Sequence, residues 1–297
     1  MGSTWRPRWG AWHRAAPLAA GALAVITALS LAAPWIAPQN PHDLAALFLE
    51  NAELPPVWHA DGRWPFLLGT DAQGRDVASA ILYGARTSLA IGFASVALAL
   101  LLGVSVGLVA GYYRGIVDAI AMRVADVFLS LPTLLVAVFV SAIGKQWVPG
   151  LAEPAGSAAL LVLAIALGTW VQFARTARAS AMVERDKGYV LAARVMRVPG
   201  WRILLSHVLP NAWAPLLVVA TLNVGVAMLS EATLSFLGVG MPADQPSLGT
   251  LIRSGSDFLF AGVWWVVVWP IALLGAIVVC VNLLGDRLRD ALDPRRP

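Results

Sequence analysis

The sequence is short of charge. Of its 297 residues, 21 are Lys or Arg and 17 are Asp or Glu, so charged side chains make up 13% of the chain, against about 25% in an ordinary soluble domain. Hydrophobic residues make up 59% and the mean hydropathy is +0.73, more apolar surface than one soluble core of this length buries. The shortage is also concentrated. No Asp, Glu, Lys or Arg occurs in residues 15–42, 87–113, 127–144, 154–174, 203–230 or 258–285. Each of these six blocks is near or above the roughly 20 residues a helix needs to cross the bilayer hydrocarbon. A soluble fold is excluded, and the pattern predicts an all-α membrane protein with six transmembrane helices.

Other absences remove whole classes of chemistry. The single cysteine, Cys280, lies in the last apolar block, so neither an intramolecular disulfide nor a cysteine-based metal site is expected. The four histidines, His13, His42, His59 and His207, are scattered without a His-x-x-x-His pair, and no metal site is expected. There is no G-x-x-x-x-G-K-[ST] loop, so the chain is not expected to bind ATP by that route. A membrane-embedded hydrolase needs a nucleophile with its base, or converging metal ligands, and the histidine placement argues against one. A secondary transporter would carry acids near the midplane and often inverted repeats, whereas here the acids sit at block ends.

What is present sets an orientation. With helices at 18–38, 87–110, 123–144, 157–174, 212–232 and 262–284, sixteen Lys/Arg fall on one side and five, namely Arg63, Arg75, Arg86, Lys145 and Arg253, on the other. The positive-inside rule then predicts both termini inside, and it also accounts for a pI of about 9.7 without invoking nucleic acid. The expected organisation is a cytoplasmic tail (1–17), a first span (18–38), an external loop (39–86), a core of five spans (87–284) containing a cytoplasmic loop (175–211), and a cytoplasmic C-terminus (285–297). The first block also fits a signal peptide, but cleavage would leave five spans and put the C-terminal arginines outside, so an uncleaved anchor is favoured. Most of the thirteen tryptophans, among them Trp35, Trp58, Trp64, Trp147, Trp264 and Trp265, are read as interfacial anchors against the lipid.

The loop at 175–211 is strongly basic, and within it Tyr189, Ala192, Ala193 and Met196 fall at i, i+3, i+4, i+7 on one face of a short helix. Such a face suits either a partner's groove or this protein's own membrane helices and lipid headgroups. Pro210-Asn211 is expected to break the chain before the fifth span. Thr70 or Asp71 can cap a helix, and Gly74 permits a turn, so residues 69–76 read as a structural cap. Asp126 is expected to pair with Arg123, one turn earlier. Glu231 ends a long uncharged block and must reach water, a cation or a donor, which makes it either a fold-stabilising acid or a pathway residue.

The same loop resembles that of ABC import permeases, usually written EAA, three residues, G, nine residues, I-x-L-P. Leu191-Ala192-Ala193, Arg197 and His207-Val208-Leu209-Pro210-Asn211 stand at that spacing, with Leu191 in place of the Glu and Arg197 in place of the Gly. Further stretches resemble the dipeptide/oligopeptide subfamily, which also includes nickel and glutathione permeases. They are Leu68-Gly69-Thr70-Asp71 with Gly74-Arg75-Asp76, Ala110-Gly111-Tyr112-Tyr113, Ser230-Glu231-Ala232 with Leu234-Ser235-Phe236-Leu237-Gly238, Pro246-Ser247-Leu248-Gly249, and Asn282-Leu283-Leu284-Gly285-Asp286. The resemblance implies a type I importer permease fold and a role in the bacterial inner membrane. It implies peptide transport, or else nickel, glutathione or another small solute, with no covalent catalysis by this chain. The implied partners are a second permease subunit, two ATPase subunits that use ATP and Mg, and an external substrate-binding protein. It further implies that Tyr189, Leu191, Ala192, Ala193, Met196, Arg197, His207, Leu209 and Pro210 couple to the ATPase. Glu231, Asp71, Arg75 and Asp76 are the candidates for pathway or binding-protein contact.

Overall fold

The computed structural model describes residues 9–41, 43, 48–148, 150, 153–242 and 244–292, with side chains from residue 16 onward. Its elements are α1 (Trp9–Leu31), α2 (Ala33–Ile36), α3 (Val77–Tyr113), α4 (Gly115–Ser130), α5 (Thr133–Trp147), α6 (Pro154–Arg185), α7 (Gly188–Val195), α8 (Gly200–Ile203), a π-helical turn (Leu204–Val208), α9 (Leu209–Phe236), α10 (Leu248–Ser256) and α11 (Trp265–Leu292). Four stretches are long and apolar enough to cross a membrane: α3, α6, the run Gly200–Phe236 and α11. Together α4 and α5 pass the same test, and the apolar part of α1 is shorter, at Ala16–Leu31. The expected all-helical membrane architecture is therefore present, with four or five spanning helices by length and composition.

The third expected span, 123–144, is corrected: α4 and α5 meet at 92°. Proline crowds the residue before it out of the helical region, and Leu131 accordingly takes φ −95 and ψ 134 ahead of Pro132. The other helices run past their uncharged blocks, because charge-free sequence marks the hydrocarbon crossing and not the end of the hydrogen-bonded helix. At 37 residues, α3 is about 55 Å long, and the 32 residues of α6 reach about 48 Å, both well beyond a hydrocarbon core of about 30 Å. The overhangs of α3 and α6 support the candidate site described below.

The seam between these two helices holds the core together. Gly103, Gly107 and Gly111 recur every four residues along α3 and lie against Trp170, Phe173, Ala174, Ala177 and Ala181 of α6. A Cβ on Gly107 would fall 2.8 Å from that of Ala177, and one on Gly111 2.8 Å from that of Ala181, so only glycine lets the backbones approach this closely. Hydrophobic burial gives little drive inside lipid, and small residues that permit backbone contact replace it. The α11 face packs on α9 in a similar way, with Gly285 against Thr221 and Asn282 beside Gly225.

Candidate functional site

At the end of the bundle where α3 and α6 overhang, α6 hands the chain to α7 through a turn held by Glu184. This buried carboxylate accepts from Lys187 Nζ at 2.6 Å and from the Tyr189 hydroxyl. Partial burial, and then the Glu184 carboxylate, push the Tyr189 phenol up to about 12, so it remains a protonated donor to Glu184. Tyr189 also stacks on His207, with ring centroids 6.2 Å apart, and its oxygen accepts from Asn211 Nδ2 at 3.2 Å. The start of α7 is thereby tied to both neighbouring helices.

A second set of contacts fixes α7 and the end of α6 to α3. Arg194 lies 4.8 Å over the Tyr112 ring, and Arg185 Nη1 donates to the Tyr112 carbonyl at 2.6 Å, satisfying one of the last carbonyls of α3. Ion pairs lock the surrounding corner: Arg178 with Asp118 at 2.5 Å, Arg175 with Asp126 at 2.8 Å and Arg114 with Asp186 at 3.0 Å. Asp126 thus pairs across to α6 instead of with Arg123, because two helices meeting there bring a guanidinium closer than one helical turn does.

The turn that ends α7 explains one departure from the family pattern. The N–H of Val198 donates to the Ala193 carbonyl at 3.0 Å and that of Arg197 to the Arg194 carbonyl at 2.9 Å. These are the two bonds of a Schellman cap, which places the residue after the C-cap in the left-handed region. Arg197 sits there, with φ 59. A glycine at this position is therefore a conformational requirement of the turn, and Arg197 meets it at a steric cost.

The expected docking face is partly corrected. Ala193 is 2% exposed and packs inward with Val190, Ile203 and Val208. The surface presented outward is formed by Leu191, Ala192, Val195 and Met196, with Val195 83% and Met196 71% exposed, and Trp201 and Leu205 beyond them. Arg197 and Arg202 are exposed beside it. The sequence reading missed Val195 and Trp201, whose exposure no spacing reveals, and it missed Glu184, whose signal was an acid five residues before Tyr189. Pro210 does not break the chain either. Proline has no N–H for an α-helical bond to residue 206 and crowds that carbonyl; the helix widens into a π turn, with Leu209 N–H donating to the Leu204 carbonyl, and continues to Phe236.

At the opposite end the remaining acids have structural partners. Glu231 is fully buried; Ser88 on α3 donates to its Oε2 at 2.6 Å and Ser235 to its Oε1 at 2.8 Å. Ser88 Oγ in turn accepts from Leu248 N–H at 3.1 Å, so one carboxylate fastens α3, α9 and α10. Ser247 caps α10, with Thr250 in a reciprocal box. The cap of α3 is Asp76, whose Oδ2 accepts from Ser79 N–H at 2.8 Å; Thr70 and Asp71 do not cap it. Asp71 Oδ1 accepts instead from Gln73 and Arg75 N–H at 2.8 and 2.9 Å. Burial holds the Asp71 carboxyl above the usual range against the lowering effect of these bonds and of Arg75. Among the described residues no three His, Cys, Asp or Glu side chains converge on a metal position.

Comparison with known proteins assigns this architecture. The di/tripeptide transport system permease protein DppC of Pseudomonas aeruginosa is 40% identical over 271 residues, which cover 91% of this chain and 85% of the relative. The dipeptide transport system permease protein DppC of Escherichia coli K12 is also 40% identical over 271 residues, covering 91% and 86%, and that of Haemophilus influenzae is 38% identical, covering 91% and 87%. The fold is shared with a solved chain of the inward-facing MetNI methionine ABC transporter, at a TM-score of 0.56 and 20% identity over 72% of this chain and 96% of that one. Residues 103–296 match the binding-protein-dependent transport system inner membrane component family. The chain belongs to that family: it is a multi-pass permease subunit of a binding-protein-dependent ABC importer of the bacterial inner membrane.

Proposed function

We propose that this chain forms half of the translocation pathway of a peptide importer and couples it to separate ATPase subunits through α7. The chain has six spans with both termini inside: α1, α3, the bent α4–α5 pair, α6, the Gly200–Phe236 run and α11. The sixteen-to-five distribution of Lys and Arg supports that orientation. A second permease subunit, the other half of a heterodimer, faces it across the pathway. Two ATPase subunits hold the ATP and Mg, and this chain performs no covalent chemistry. An external binding protein delivers cargo to the 39–86 and 233–260 loops. The description of the relatives as dipeptide and di/tripeptide permeases supports peptides as the cargo.

One observation carries the coupling role: α7 presents an apolar surface rimmed by arginines while its other side is anchored to Tyr112, Glu184 and His207. An exposed apolar patch with a polar rim is the ordinary mark of a partner site. Anchored in this way, α7 transmits a push to α3 and α9 instead of yielding to it. Leu191, Ala192, Met196 and Arg197 make direct contact in this reading, while Tyr189, Ala193, His207, Leu209 and Pro210 hold the element in place. A topology reporter fused after Arg202 must read as internal; an external reading refutes the orientation and the coupling role with it.

A further inference from the structure

One cation at the other end of the bundle, Arg75, makes no ion pair among the described residues. Arg75 is 7% exposed, and its Nε is buried without a hydrogen bond. Among the described residues no carboxylate lies within ion-pair distance of its guanidinium. A charge withdrawn this far from water calls for a counter-charge. Of the two acids in the same turn, Asp71 acts on Arg75 electrostatically from beyond ion-pair distance while its Oδ1 accepts from two backbone N–H groups, and Asp76 Oδ2 is committed to Ser79. Arg75 lines a pocket of about 330 Å³ between the Asp71–Arg75 turn and α10, with Leu251, Phe258 and Val266 among its apolar walls and Asp71, Gln73, Thr250 and Ser254 as its other polar ones. That combination suits a short aliphatic stem ending in a carboxylate. The turn itself is rigid, since Asp76 caps α3 from one side and Trp265 Nε1 donates to the Thr70 carbonyl at 3.0 Å from the other.

We infer that this pocket is the socket for an Asp or Glu side chain on the importer's substrate-binding protein, with Arg75 as its bidentate partner. The inference rests on the outward orientation proposed above. On that orientation the pocket opens to the side from which a binding protein approaches, and the guanidinium, which makes no ion pair among the described residues, supplies the complementary charge. A carboxylate entering it is desolvated by docking, so the pair forms only in the assembled complex and adds specificity as well as attraction.

The test uses the complete importer in nanodiscs: this chain, its partner permease and both ATPases, titrated with the purified binding protein of the same system loaded with alanyl-alanine. The readout is the binding-protein concentration that half-maximally stimulates ATP hydrolysis. Arg75→Met is expected to raise it roughly 30-fold and to flatten its dependence on salt, and Arg75→Lys to raise it by less, since lysine offers charge without the fork. If the Arg75→Met complex does not assemble, the Arg75→Lys shift decides alone. An unchanged half-maximal concentration in the variant read, or an unchanged salt slope in Arg75→Met, overturns the inference and leaves the importer reading intact. A change confined to the peptide's own apparent affinity at saturating binding protein assigns the guanidinium to the cargo carboxylate and also overturns it. A wild-type complex that does not respond to binding protein overturns both readings.

Discussion

Arg197→Gly is expected to stabilise the protein even though it deletes a charged side chain. Arg197 occupies the left-handed position of the α7 Schellman cap at φ 59, where a Cβ costs about 1–2 kcal/mol. Glycine removes that cost but loses about 0.5–1 kcal/mol more chain entropy on folding. The net gain is about 0.5–1 kcal/mol, or roughly 2 °C in melting temperature for a chain of this size. Arg197→Ala keeps the Cβ and should show no gain, which separates backbone strain from loss of the guanidinium. Thermal unfolding of the purified permease in nanodiscs measures both variants, and amide exchange at Val198 reports on the cap itself. Equal shifts for the glycine and alanine variants, or a loss of stability with glycine, would refute the assignment of the turn.

Further expectations follow from other contacts. Glu231→Ala strands the hydroxyls of Ser88 and Ser235 and should destabilise by about 2–4 kcal/mol; a variant with normal melting but altered cargo preference would instead make Glu231 a pathway residue. Gly107→Ala forces a Cβ into Ala174 and Ala177 and should cost about 1–3 kcal/mol, whereas Gly275→Ala, with nothing within 4 Å, should melt at or above wild type. Asp71→Asn keeps an oxygen for the Gln73 and Arg75 N–H groups. Because the folded carboxyl titrates above its unfolded value, the native state binds more protons and the wild type loses stability as pH rises through that range. The variant should therefore melt above wild type at pH 7, and the gap should close towards pH 4.

Much of the architecture was legible because charge is costly in hydrocarbon. The uncharged blocks located the four long apolar stretches, α3, α6, the Gly200–Phe236 run and α11, and the EAA-like spacing located α7. The edges were not legible: Asp76 caps α3 eleven residues before residue 87, a position decided by a side-chain oxygen and not by hydropathy. Pro132 and Pro210 carry the same chemical signal but have opposite outcomes, one a 92° bend and one a π turn. The Gly103, Gly107, Gly111 repeat was present in the sequence and unread. The inward turn of Ala193 was beyond reach, because periodicity gives a face without saying which of its members meets the protein's own core. Arg197 shows the reverse limit: the sequence marks the missing glycine, and only φ supplies its reason.

The central claim is that ATP outside this chain drives peptide through it by way of α7. Proteoliposomes holding the assembled importer, with ATP enclosed and the peptide-loaded binding protein supplied on the receptor side, test it through accumulation of labelled dipeptide by wild type and an Ala192→Trp variant. Uptake that requires both ATP and binding protein, and that the variant loses while its ATPase subunits still copurify in part and its melting temperature is unchanged, is the predicted result. Uptake sustained by an ion gradient without ATP, or an Ala192→Trp variant that transports normally, would contradict it.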